Sequence, residues 1–95
     1  MKNPYISTNK GRVLVTELPN ELLASAFLQS SSEEDEVSLV KLLLVCLDAK
    51  GAGRILRKCL TEGRELVAVY PGNGEKEPKK GEYIGPIPDG SLFVV

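Results

Sequence analysis

The sequence contains no histidine and no tryptophan. Without an imidazole, the chain lacks the commonest metal ligand, the side chain that most often moves protons near neutral pH, and the usual base beside a serine or cysteine nucleophile. The two cysteines, Cys46 and Cys59, do not form a CxxC pair, and unpaired cysteines of this kind are usually small core residues. We therefore expect no catalytic residue, no metal site and no cofactor, and we expect that the protein is not an enzyme.

A strong net charge and a long apolar run are also missing. Twelve basic and thirteen acidic residues leave a net charge of −1, so no overall field attracts the protein to nucleic acid or to anionic lipid. The longest apolar stretch covers residues 39–47 and includes Lys41, whereas a membrane-spanning helix needs roughly 20 apolar residues. The first residues contain no apolar segment typical of a secretion signal. These observations predict a cytoplasmic protein that does not bind membranes.

The composition is that of one folded domain. Of its 95 residues, 42% are hydrophobic and 26% are charged, which is close to the average for globular proteins. A chain of this length has room for one hydrophobic core. Residues 1–95 are therefore expected to form a single domain.

The first third of the chain predicts a hairpin, a helix and a loop. Residues 5–17 combine β-branched residues with a break at Asn9-Lys10-Gly11, where glycine suits the positive φ of a hairpin loop. Asn20 is expected to cap a helix that runs to about residue 29. The polar segment 30–36 is predicted to be a flexible loop. Its carboxylates at 33–36 are interpreted as favourable charges at the start of the next helix, in preference to a cation site.

The middle of the chain predicts two more helices. Residues 37–47 are nearly all apolar and rich in leucine, which favours a buried helix. A buried strand of a parallel sheet remains the alternative, because a short apolar run has no period that separates the two. Gly51 is expected to close this helix in the left-handed conformation. A further helix over 52–62 would place Cys59 and its apolar neighbours inward and a basic face outward.

The remainder predicts strands. Strand-forming residues occupy 66–70, 82–84 and 91–95. Turn residues follow the strand at 66–70, and the segment 72–81 is expected to be a flexible loop. The Asp-Gly step within 86–90 predicts a tight hairpin. The predicted order is ββααα-βββ, with helices and strands segregated along the chain, which is typical of an α+β fold.

The last nine residues, Ile87-Pro88-Asp89-Gly90-Ser91-Leu92-Phe93-Val94-Val95, resemble a strand-turn segment of LexA-type self-cleaving peptidases. The nucleophilic serine and the lysine base of that family have no counterpart in this chain. The resemblance therefore implies a hairpin and no catalytic activity.

The motif Gly51-Ala52-Gly53-Arg54 is a candidate anion site. Two glycines before a helix allow backbone amides to converge on an anion, and Arg54 would add a positive charge. The third glycine of the dinucleotide fingerprint is replaced by Leu56, and the Gly-Lys-Ser/Thr of a P-loop is missing. Gly51 and Gly53 are therefore a candidate anion nest, with a simple junction between two helices as the plainer interpretation.

A basic helix face and a later loop form a second candidate site. The predicted elements have the order of a winged helix-turn-helix: two helices, a strand, a basic loop and a strand. In such a protein the 52–62 helix would enter the DNA major groove, and the 71–81 loop would contact phosphate. Acidic residues lie among the basic ones, which makes a solvated surface the plainer interpretation. The candidate binding residues are Arg54, Arg57, Lys58, Arg64, Lys79 and Lys80.

Three functions remain as hypotheses, and phosphate binding by an enzyme or ligand-binding protein through Gly51, Gly53 and Arg54 ranks last. The favoured one is a non-catalytic module for protein–protein interaction, inhibition or assembly, whose partner is another protein or a second copy of the chain. The terminal strands are expected to leave a sheet edge open for such pairing. The alternative is a DNA-binding transcriptional regulator of the winged helix-turn-helix kind. Steep loss of DNA affinity with salt would distinguish the second function from the first.

Overall fold

A computed structural model describes residues 5–8 and 11–95 of the chain. The helices are α1 (Asn20–Ser30), α2 (Glu34–Cys46) and α3 (Ala49–Glu62), and the strands are β1 (Tyr5–Thr8), β2 (Gly11–Leu14), β3 (Leu66–Val69), β4 (Glu82–Ile87) and β5 (Gly90–Val94). The fold is a small α+β domain. The predicted order ββααα-βββ is confirmed.

The N-terminal hairpin is shorter than predicted. Strands β1 and β2 pair antiparallel, with Thr8 opposite Gly11, and Gly11 has the expected positive φ of 103°. The loop residues 9 and 10 lie outside the described residues. The strand does not reach residue 17, because Val15–Glu17 forms a 3₁₀ turn. Val15 is fully buried at this turn, and the amide of Leu18 donates to its carbonyl oxygen.

Helix α1 begins where the sequence predicts, but Asn20 does not cap it. Pro19 holds the N-cap position, and no side chain caps the first turn. The side-chain oxygen of Asn20 instead accepts a hydrogen bond from Arg57 in α3. The buried residues Leu23, Ala24 and Phe27 form the core face of α1. Asn20 therefore connects two helices, a role that its local sequence does not show.

The leucine-rich segment is a helix, and the strand alternative is wrong. Helix α2 begins at Glu34 and includes the second half of the segment predicted to be a loop. Its first turn contains three carboxylates, Glu34, Asp35 and Glu36. Negative side chains are favourable there because the helix dipole places partial positive charge at the N-terminus.

Gly51 does not close α2, contrary to the prediction. Helix α2 ends at Cys46, and α3 begins at Ala49. Asp48 is the N-cap of α3, and its carboxylate accepts the amide hydrogen of Gly51 at 2.7 Å. Aspartate is among the best N-cap residues, so it starts the new helix three residues before the glycine. The connection between the helices is consequently only Leu47 and Asp48.

The C-terminal sheet has the strand order β3-β5-β4, with both neighbours antiparallel to β5. The last strand of the chain is therefore the central one and leaves no open edge, contrary to the expectation for a terminal strand. Helix α2 packs against this sheet, while α1 packs mainly against α3. The core between these elements includes Leu23, Val40, Leu43, Leu56, Leu60, Leu92 and Val94.

The C-terminal hairpin turns one residue earlier than the Asp-Gly step predicts. Ile87 pairs with Gly90, so the loop is Pro88-Asp89, and Asp89 has a positive φ of 63°. A Cβ on Gly90 would overlap the carbonyl oxygen of Val69 in the chain segment alongside. Gly90 is therefore required by the packing of β5 against β3, and the neighbouring aspartate takes the left-handed turn position.

Candidate functional site

The two cysteines are free and lack the surroundings of reactive thiols. Cys59 is fully buried in α3, and burial raises its pKa to about 11. Burial also raises the pKa of Cys46, whose Sγ donates to the carbonyl oxygen of Pro86 at 3.3 Å. Both thiols are thus protonated near neutral pH, whereas a nucleophile or metal ligand must be a thiolate. In residues 5–8 and 11–95, no three His, Cys, Asp or Glu residues are grouped so that they could hold a metal ion.

The two glycines of the candidate anion nest lie within α3 and not ahead of it. The amide of Gly51 already donates to Asp48. Gly53 is buried against the backbone of Asn20, and a Cβ at this position would overlap the Asn20 carbonyl oxygen. Gly53 therefore permits close packing of α1 on α3. Its amide faces no open loop that could hold an anion.

An open hollow of about 320 Å³ lies beside the start of α3. It is lined by Asn20, Asp48, Lys50, Gly51 and Arg54. Lys50 and Arg54 bring positive charge, but the Asp48 carboxylate occupies the helix N-terminus where an anion would bind. The structure thus brings Gly51 and Arg54 together and leaves Gly53 out.

Arg57 does not lie on an exposed basic face. Its Nε donates to Asn20 Oδ1 at 3.1 Å, its Nη1 donates to the carbonyl oxygen of Val15 at 2.6 Å, and its Nη2 donates to the carbonyl oxygen of Leu18. The side chain is half-buried, and its three contacts join α3 to the turn that precedes α1 and to the first residue of α1. Arg57 is therefore a structural residue, and its charge is directed into the molecule.

The other predicted basic residues are exposed, except Lys58 of α3, which is half-buried. Arg54 is exposed, and Arg64 forms a surface ion pair with Glu62 at 3.4 Å. Lys79 and Lys80 lie exposed in the connection from β3 to β4. These two strands occupy opposite edges of the sheet and do not pair with each other. The 71–81 segment is consequently a crossing connection, and the sheet's hairpin loop is the short Pro88-Asp89 turn.

A groove lies between α2 and β3. It has a volume of about 410 Å³. The helix contributes Asp35, Ser38, Leu39 and Leu42, and the strand contributes Leu66, Val67 and Ala68, followed by Tyr70. A smaller hollow of about 180 Å³ continues from it and shares Leu39 and Leu66. Together they form the α2–β3 groove beside the edge of the sheet, which is mostly apolar in its larger part and has Glu36 and Glu65 in its smaller part.

Strand β3 presents free backbone groups along this groove. Glu65 and Val95 exchange both hydrogen bonds at 3.1 and 2.9 Å. In an antiparallel ladder such pairs alternate with pairs whose amide and carbonyl groups point away from each other. Leu66 and Ala68 therefore direct their backbone groups outward, and no hydrogen bond within residues 5–8 and 11–95 occupies them.

The next outward amide is occupied. Tyr70 follows Leu66 and Ala68 in the alternation, and its amide donates to the carboxylate of Glu75 at 2.9 Å. The carbonyl oxygen of Tyr70 accepts from Asn73 in the following turn. The open part of the edge therefore begins at Leu66 and ends before Tyr70, which leaves two amide donors and two carbonyl acceptors.

The opposite edge of the sheet is protected. Strand β4 contains an irregularity between Tyr83 and Gly85 and has Pro86, which lacks an amide donor. Bulges and prolines are the usual devices that stop an edge strand from pairing with another chain. Strand β3 contains only Leu-Val-Ala-Val and has none of these devices. The two edges thus differ in their capacity to accept a further strand.

The sequence prediction missed this groove. The helix residues of the groove have the composition of core residues, and β3 has the composition of an ordinary strand. The residues of a strand do not determine whether it lies at the centre or at the edge of a sheet. The available signal was the strand's lack of charge and proline, which is unusual for an exposed edge. That signal becomes informative only when the strand order places β3 at an edge.

No helix in the described part of the chain is long and apolar enough to cross a membrane. Comparison with known proteins gives no match: no protein-family model, no curated protein and no solved structure is significantly similar to this chain.

Proposed function

We propose that this protein is a non-catalytic interaction module that binds an extended segment of a partner protein by strand addition at β3. The observation that carries the proposal is the open edge at Leu66 and Ala68 beside an apolar groove. An added strand would form main-chain hydrogen bonds to these two residues, and its alternate side chains would enter the groove. The identity of the partner bound at β3 would decide whether the result is inhibition or assembly.

The chemistry of the groove suits a peptide better than a small molecule. Main-chain donors and acceptors bind any extended backbone, so they supply affinity without selecting a sequence. The apolar side chains of Leu39, Leu42 and Tyr70 supply selectivity for side chains that alternate along the added strand. The open edge has only two outward residues, so we expect a short contact and an affinity typical of transient complexes.

The test begins with peptides selected from a random library displayed on phage. A selected peptide is titrated into ¹⁵N-labelled protein, and exchange of the backbone amides with D₂O is followed by NMR. In the free protein the amides of Leu66 and Ala68 should exchange rapidly, while those of Val67 and Val69 are protected by their bonds to β5. Bound peptide should protect Leu66 and Ala68.

The matched variants are Ala68→Pro and Ala68→Ser. Proline removes the outward amide and is tolerated at an edge where the ladder does not use that amide, so binding should be lost while the fold is retained. Serine keeps the amide and nearly the same size, so binding should persist. The proposal fails if no peptide is enriched, or if an enriched peptide leaves the Leu66 and Ala68 amides in rapid exchange.

A further inference from the structure

The α2–β3 groove has a negatively charged end. Asp35 lines the larger hollow, and Glu36 and Glu65 line the smaller one. No lysine or arginine lines either hollow. Within residues 5–8 and 11–95, none of the three carboxylates has an ion-pair partner.

The helix dipole does not cancel this charge. Asp35 and Glu36 lie in the first turn of α2, where the dipole contributes roughly +0.5 elementary charge. Asp35, Glu36 and Glu65 together contribute three formal negative charges. The groove end therefore has a net negative potential, and a cation placed there would gain favourable interactions with several carboxylates at once.

The residues next to β3 in a second copy of the chain do not supply such a cation. Self-pairing through β3 would bring the residues Leu-Val-Ala-Val of the second copy to the edge, preceded by another Glu65. The nearest basic residue in sequence, Arg64, is already paired with Glu62. Pairing of two β3 edges would thus add negative charge to the groove region. Charge complementarity favours a different chain that brings lysine or arginine.

Resting on the proposed function, we propose that the groove selects an extended peptide whose alternating apolar residues are flanked by lysine or arginine. The apolar side chains enter the groove along Leu39 and Leu42. The basic side chains lie against Asp35, Glu36 and Glu65. Backbone pairing at β3 fixes the peptide, and the carboxylates discriminate among peptides that pair equally well.

Three synthetic peptides test this selection. Each has capped ends and the same five central residues, alternating valine and threonine, and the flanking pairs at both ends are lysine, glutamine or glutamate. Because both ends are flanked, either direction of the added strand brings a pair to the carboxylates. At low salt we expect the lysine peptide to bind about tenfold more tightly than the glutamine peptide, and the glutamate peptide to bind most weakly. Raising NaCl to about 0.5 M should reduce the difference.

Matched variants distinguish the effect of the groove carboxylates on peptide binding from the effect of the protein's net charge. The triple variant Asp35→Asn, Glu36→Gln and Glu65→Gln should bind the lysine and glutamine peptides with affinities within about twofold of each other. The control variant Glu17→Gln, Glu21→Gln and Glu77→Gln removes the same charge from exposed sites outside the groove. It should keep the full preference for lysine.

The outcomes distinguish this inference from the proposed function. Equal binding of the three peptides, with Leu66 and Ala68 protected in each complex, would overturn the charge selection and leave strand addition standing. Failure of all three to protect these amides, together with failure of the library selection, would overturn both. A concentration-dependent dimer seen by sedimentation, with the same amides protected in the absence of peptide, would identify a second copy as the occupant and overturn the inference.

Discussion

Gly53 of α3 lies directly against the backbone carbonyl of Asn20 at the start of α1. A Cβ at position 53 would overlap that carbonyl oxygen and the carbon attached to it. Helices approach this closely only where a residue without a side chain lies at the crossing, and α1 packs on α3 more extensively than on any other element. The crossing joins α1 to α3, and α3 in turn packs against α2.

We expect Gly53→Ala to lower the free energy of unfolding by about 3 kcal/mol, because the obstructing atoms belong to backbone and the helices must separate. Urea unfolding followed by circular dichroism measures this change. Gly51→Ala, two residues earlier in the same helix, meets only the side chains of Asp48 and Leu47. It should change stability by less than about 1 kcal/mol. Equal effects of the two substitutions would show that the crossing is looser than the structure indicates.

Arg57→Met should destabilise the fold by about 3 kcal/mol. The substitution keeps the length of the stem but leaves the carbonyl oxygens of Val15 and Leu18 without their charged donor. Thermal unfolding is the measurement. Arg54→Met, at an exposed position of the same helix, should change stability by less than about 0.5 kcal/mol.

This difference also affects tests of DNA binding. A charge reversal at Arg57 would disrupt folding and would reduce any activity, whereas reversal at Arg54 or Lys80 changes the surface alone. If Arg57→Met proves as stable as Arg54→Met, then Arg57 is free for a surface role.

The burial of Cys59 predicts a pH dependence of stability. The thiol has an ordinary pKa of 9.0, and burial raises it to about 11. The folded state therefore holds the proton more tightly than the unfolded state. This contribution is complete below pH 9 and is lost as pH rises through about 11, with a total loss of about 3 kcal/mol.

Comparison with Cys59→Ala isolates this effect from the titration of tyrosines and lysines. The variant should be less stable at pH 7 because a buried side chain is shortened, but its stability should fall less steeply between pH 9 and 11. Urea unfolding at several pH values gives both slopes. Parallel slopes would indicate that the thiol ionises normally in the folded protein.

Adjacent residues of the C-terminal turn should respond oppositely to substitution. Asp89 has a positive φ of 63°, a conformation that glycine adopts without strain. Asp89→Gly should therefore raise stability by about 0.5 kcal/mol. Gly90→Ala should lower it by more than about 2 kcal/mol, because the new Cβ would overlap the Val69 carbonyl oxygen.

Unfolding midpoints of the two variants, measured side by side, decide this point. A neutral or stabilising Gly90→Ala would show that a side chain at position 90 does not meet the Val69 carbonyl oxygen. A destabilising Asp89→Gly would indicate that the aspartate side chain stabilises the turn by more than its backbone strain destabilises it.

The helices and strands were predictable from the sequence because the signals that define them act over a few residues. The leucines of α2, the apolar period of α3 and the β-branched residues of β3 and β5 each favour one local conformation. The order ββααα-βββ follows from these signals. Where local signals competed, as between Asp48 and Gly51 for the helix junction, the sequence did not show which residue would prevail.

The chain's own residues thus determined which segments are helix and strand, that there is no imidazole chemistry, and that Cys59 is a core side chain. Tertiary structure alone decided that β5 is central, that Gly53 is a crossing point, that Arg57 turns inward, and that β3 is an open edge beside an apolar groove. The physical reason is distance along the chain. Strand order and helix crossings depend on residues about 20 to 45 positions apart, whose contacts leave no periodic pattern in the sequence.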